Sequence, residues 1–213
     1  LHSTYKQLLN LTAFCKKVQI PFEVYAFTNE WRIVNHIKSN TVQEHRHSYY
    51  YHDSREDNLV EGEVSFGGKN YFHLVNILSS RSNSKEYERQ CQNIWKITYS
   101  YTSSAAGYIG LPPGLELSGT PLNEAIIAMN YVIPKFQKEN DLQKVNLCIL
   151  TDGDGCMTGY GRRGWNHADE EECIVRGRVD CGNALRDRKI GRVYPQFNDS
   201  YHAVTNTFIQ QLR

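Results

Sequence analysis

The chain is 213 residues long, 40% hydrophobic and 22% charged, which is enough for one sizeable core and argues against several domains. Its 24 Lys and Arg balance 23 Asp and Glu, so a net charge of +1 gives no overall field that would recruit nucleic acid or an anionic membrane. No apolar run reaches the length of a membrane span, and the first residues read as an amphipathic helix without a secretory h-region, so the expected compartment is the cytoplasm. Six cysteines are scattered without Cys-x-x-Cys spacing, which fits free thiols in a reducing compartment better than a disulfide framework. The 14 tyrosines, many in polar segments, suggest amphipathic contact patches at the surface.

In chain order, Tyr5, Leu8, Leu11 or Thr12, and Cys15 recur at helical spacing, and the pattern predicts a helix over 3–17 that breaks at Ile20-Pro21. Residues 22–28 are rich in β-branched and aromatic side chains and predict a strand, making helix and strand half of a crossover unit. Residues 30–70 lose all periodicity and read as an insertion carrying His45, His47, His52 and three consecutive tyrosines. Residues 72–78 fit a short strand or a buried helical turn, a helix follows over 85–99, and the Gly- and Pro-rich 100–116 form a loop. Pro121 opens the best-patterned helix, with Leu122, Ala125, Ile126, Met129, Val132 and Ile133 on one face and Thr120 as its expected N-cap. Residues 145–150 form an apolar run, Cys148 included, and predict a buried strand completing a second crossover unit. The glycine- and charge-rich 156–182 read as a long loop or insertion, residues 183–194 as a hairpin turning at 188–191, and Asp199-Ser200 as the cap of a last helix.

Chemistry concentrates where the apolar run stops, at Thr151-Asp152-Gly153-Asp154-Gly155. Carboxylates at the carboxyl end of a buried strand stand where α/β sheets place their ligands. A Thr hydroxyl at a helix start together with carboxylates suits a hard cation such as Mg²⁺, which keeps several waters and uses few protein ligands. The bland alternatives are a plain Asp-Gly turn and a plain helix cap. His45, His47 and His52, and Cys156, Cys173 and Cys181 with His167, lack the paired short spacing of a zinc site. An EF-hand loop starting at Asp152 fails, because Cys156 and Arg163 stand where oxygen ligands are required. Arg162, Arg163, Arg176 and Arg178 are interrupted by acids at 169–172, so a partner-binding surface is as good a reading there as a nucleic-acid site.

Gly119-Thr120-Pro121-Leu122-Asn123-Glu124-Ala125, followed by an apolar run closing on Thr151-Asp152-Gly153, resembles the second and third parts of the metal-ion-dependent adhesion site of von Willebrand factor A domains. The nearest flavour is that of the cobaltochelatase T subunit and its relatives in tailed phages. The resemblance implies a three-layer, Rossmann-like α/β fold for residues 1–213 as a single partial domain, with insertions at 30–70 and 156–182. It also implies Thr120 and Asp152 as metal residues, with Ser118 and Asp154 as outer neighbours. The family's first motif, Asp-x-Ser-x-Ser, does not occur in these 213 residues, and the resemblance implies that this motif and the central strand carrying it precede Leu1, with a last strand beyond Arg213.

The function so implied is a non-catalytic, Mg²⁺-dependent protein-interaction domain. It would take a carboxylate from a protein partner and act as an adaptor beside an AAA+ ATPase in a chelatase-like or remodelling complex, in a bacterial or phage-infected cytoplasm. Two alternatives stand beside it: a phage structural or assembly protein that keeps the fold without metal, and a phosphatase with Asp152 as nucleophile, since haloacid-dehalogenase-type enzymes also end a strand in Asp-x-Asp.

Overall fold

A computed structural model describes residues 2–28, 59–65, 72–101, 120–151, 153–155, 158–166, 170–179, 183–194 and 201–212. Within them the chain mixes helices with small antiparallel sheets. Helix α1, His2–Lys17, buries Thr12, whose hydroxyl bonds back to the carbonyls of Leu8 and Leu9. It ends before Ile20-Pro21 by a Schellman closure: Gln19 turns left-handed at φ 60°, and the Ile20 and Gln19 amides reach back to the carbonyls of Cys15 and Lys16. Strand β1, Glu23–Thr28, then pairs antiparallel with β3, His73–Ser79, which settles the sequence ambiguity at 72–78 in favour of a strand. Helix α2, Ser84–Ser100, starts where the Asn83 side chain accepts the Glu86 amide at 3.0 Å. Such a cap is worth about 1 kcal/mol. The helix packs against β3 and buries Ile94 and Thr98.

Helix α3, Leu122–Glu139, runs through Pro134, which the i→i−4 ladder tolerates at the cost of one amide donor. It closes like α1, with Asp141 left-handed at φ 50° and the Leu142 amide on the Gln137 carbonyl. Leu122, Ala125, Ile126 and Met129 are buried as the 3.6-residue pattern requires. Leu122 and Ile126 form the main core with Val179 and with Val204 and Phe208 of helix α4, Tyr201–Gln211; Phe27, Val64, Tyr160 and Leu185 pack around them. Each large apolar side chain so buried contributes about 1.5–3 kcal/mol.

One expectation is overturned. Residues 145–150 form no strand: the segment finds no sheet partner among the described residues, and Leu147, Ile149 and Leu150 are 43%, 36% and 47% exposed, with Cys148 exposed as well. An apolar run becomes a buried strand only where a neighbouring strand supplies ladder bonds, and no strand among the described residues does so for 145–150. The two expected parallel crossover units are therefore not seen among the described residues.

Residues 156–182 are also not simply a loop. They hold strand β4, Gly159–Asn166, and strand β5, Glu171–Arg178, a hairpin joined on its edge by the short strand β2, Val64–Ser65. Part of the supposed 30–70 insertion thus completes a three-stranded sheet. The predicted hairpin at 183–194 is present as β6, Leu185–Arg186, and β7, Val193–Tyr194, turning through Gly191 at φ 71°. His45, His47, His52 and the Asp199-Ser200 cap lie outside the described residues.

Candidate metal centre

The two motif segments meet. Thr120 stands just before α3, and a methyl group at Gly153 would lie 3.2 Å from Thr120 Oγ1, so residues more than thirty apart in sequence are in contact. A side chain at 153 would crowd that hydroxyl, which is a physical reason for glycine there. The segment leading in is fixed locally: the Thr151 hydroxyl donates to the Gly153 carbonyl at 3.0 Å and accepts the Gly153 amide at 3.3 Å. Asp152 and Ser118 lie outside the described residues, as do Cys156, Cys181 and His167. Asp154 is described and points to solvent, 61% exposed, with Oδ1 3.4 Å from Nδ1 of His202 on the first turn of α4. At that exposure the pair is worth at most about 1 kcal/mol. Cys173, free and half-buried, sits on β5.

The expected Thr120 cap is displaced by one residue. Pro121 occupies the cap position and offers no side-chain acceptor, while the Thr120 carbonyl accepts the Leu122 amide at 2.7 Å. The first turn of α3 is nonetheless dense with buried polar groups. Asn123, 2% exposed, accepts the Thr205 hydroxyl of α4 at 2.7 Å on Oδ1 and donates to the Thr158 hydroxyl at 2.9 Å from Nδ2. One amide thus ties α3 to α4 and to the start of the β4 hairpin. Gly155 slots into the same junction, where an added methyl would meet Thr205 Oγ1 at 3.0 Å and Asn123 Oδ1 at 3.1 Å.

Glu124 is 4% exposed, and its Oε2 is buried without a hydrogen-bond partner among the described residues. Burial pushes its carboxyl above the ordinary carboxylate range; a hydrogen bond from its own amide and the charge of Arg176 on β5 pull the other way and are outweighed.

The chain matches no family model, no curated protein and no solved structure.

Two elements of this junction were legible beforehand and two were not. Thr120 announces itself as an oxygen just ahead of a helix, and Gly153 as a glycine after an apolar run. Asn123 and Glu124 do not, because they are embedded in an apolar helical pattern.

The residues fit a hard cation better than a soft one. The donors at the junction are hydroxyl and carboxylate oxygens, Glu124 keeps an orphaned buried oxygen, and the positive end of α3 opens beside them. No cluster of three or more His, Cys, Asp or Glu side chains stands ready for a transition metal among the described residues. A cleft of about 360 Å³ elsewhere, lined by Lys16, Gln19, Ile20, Pro21, Ser80 and Asn140, contains neither an acid nor a thiol. No helix among the described residues is long and apolar enough to cross a membrane.

Proposed function

We propose that this protein is a metal-ion-dependent protein-interaction domain of the von Willebrand A type, a non-catalytic adaptor. Thr120 and Asp152 would hold a Mg²⁺-like ion, with Ser118 and Asp154 around them. A bound ion with an incomplete protein coordination sphere supplies an open position for a carboxylate from a protein partner. The partner expected from the resemblance is part of an AAA+ ATPase machine of the chelatase kind.

The observation that carries the reading is the contact between Gly153 and the Thr120 hydroxyl, which joins the two motif segments at the N-terminus of α3. The order of the early elements, helix α1 then the antiparallel pair β1 and β3, is compatible with the fold. Residues 145–150, exposed from Asn146 onward, lend it no support.

The test is thermal stability of the full-length protein with and without Mg²⁺. A ligand at about 100 times its Kd stabilises by roughly 2.7 kcal/mol, which is a readable rise in Tm. The rise is expected in the wild type and absent in Asp152→Ala; no rise in the wild type sinks metal-assisted binding and leaves a metal-free assembly protein as the better account. Release of phosphate from an aryl phosphate, lost in Asp152→Asn, would replace the adaptor reading with nucleophilic catalysis.

A further inference from the structure

We propose that the Glu124 carboxylate is an outer acceptor of this cation site, taking a hydrogen bond from a water that the divalent ion brings to the N-terminal mouth of α3; the inference rests on the reading just given. Three observations carry it. Glu124 lies in the first turn of an 18-residue helix, one turn on from Thr120. Helical side chains lean toward the N-terminus, and the bond from its own amide holds this carboxylate against that turn. Its Oε2 is nevertheless buried with no donor to accept from among the described residues, in a residue only 4% exposed.

A buried carboxylate is an acceptor only, and the waters around Mg²⁺ are donors on their outer side, so the two needs match. The neighbouring candidate for this role, Asn123, is already committed to Thr158 and Thr205. Arg176, lying across Gly159 where a methyl group would meet its Nε, supplies a positive charge that partly offsets the burial of this carboxylate. Groups that hydrogen-bond to a metal's own ligands typically alter affinity by about 10- to 100-fold when removed.

The experiment is calorimetric titration of Mn²⁺ into the full-length wild type, Glu124→Gln, Glu124→Ala and Asp152→Ala, with the Tm of each metal-free protein measured alongside. Glu124→Ala is expected to weaken Mn²⁺ at least tenfold. Glu124→Gln, which keeps an acceptor oxygen but loses the charge, is expected to fall between it and the wild type with no drop in metal-free Tm. Wild-type affinity in both Glu124 variants, while Asp152→Ala abolishes binding, overturns the role of Glu124 and leaves the cation site standing. A lowered metal-free Tm with unchanged affinity also overturns it, making Glu124 a structural partner of Arg176. No Mn²⁺ uptake by the wild type removes both proposals together. Should neither Gln nor Ala fold, Glu124→Asp withdraws the carboxylate by one methylene and is read by the same criteria.

Discussion

Asn123 holds three segments with one side chain, and its loss should show as stability before anything else. Asn123→Ala leaves the Thr158 and Thr205 hydroxyls without their amide partner in a buried junction, so urea unfolding should report a loss of about 2–4 kcal/mol. Glu124 behaves in the opposite sense. Its folded-state carboxyl sits above the ordinary value, so the folded protein binds the proton more tightly than the unfolded chain. Stability from this group is greatest below the unfolded carboxylate range and falls as pH rises toward the raised folded value. Glu124→Gln should flatten that decline and leave the metal-free protein at pH 7 at least as stable as the wild type, as denaturant midpoints at pH 4 and pH 7 would show. At this scale the sequence reveals Thr120 and Gly153, because a hydroxyl ahead of a helix and a glycine after an apolar run are themselves the signal. It conceals Asn123 and Glu124, since a helical repeat reports which face is apolar and is silent on which polar residue the other elements will cover.

The hairpin of β4 and β5 shows how an element can hide. Its glycines, poor strand formers by propensity, leave room for neighbouring side chains: the Arg176 guanidinium lies across Gly159, Val175 across Gly164, and Tyr160 and Arg162 across Gly177. Propensity is thus overridden by cross-strand packing, and a Gly- and Arg-rich stretch that reads as loop becomes the longest antiparallel pairing among the described residues. Gly161 is the sharpest case, for a methyl group there would stand 2.2 Å from the Val60 carbonyl oxygen, and backbone cannot swing aside as a side chain can. Gly161→Ala should detach the 60–65 edge, whose amide and carbonyl bonds to Gly161 are 2.8 and 3.0 Å, and cost about 1–3 kcal/mol. Loss of hydrogen-exchange protection confined to 61–65 would identify the edge as the part that leaves. The salt bridges that also reach this edge, Arg163 to Glu61 and Arg188 to Glu63, are too exposed to hold it alone. Residues 145–150 fail in the other direction. Their apolar character is plain in the sequence, but a strand is a property of two segments, and periodicity within one says nothing about its partner.

At the scale of the whole molecule, the starts of the helices were legible to within about a residue, since 3.6-residue spacing is local, whereas the third helix runs through Pro134 to Glu139, past where that proline suggested its end. Sheet topology was not, because pairing depends on distant segments. The proposal spans that divide, joining Thr120, just ahead of α3, to the segment at Gly153 through a shared cation. Iron-directed cleavage tests it most directly: Fe²⁺ substituted for Mg²⁺ in the full-length protein, with ascorbate and peroxide, cuts backbone only near the bound metal. Paired cuts are expected beside Thr120 and around Asp152 to Asp154, both suppressed by excess Mg²⁺ and both absent in Asp152→Ala. Cleavage confined to the histidines at 45–52, or no cleavage at either motif segment, would contradict it.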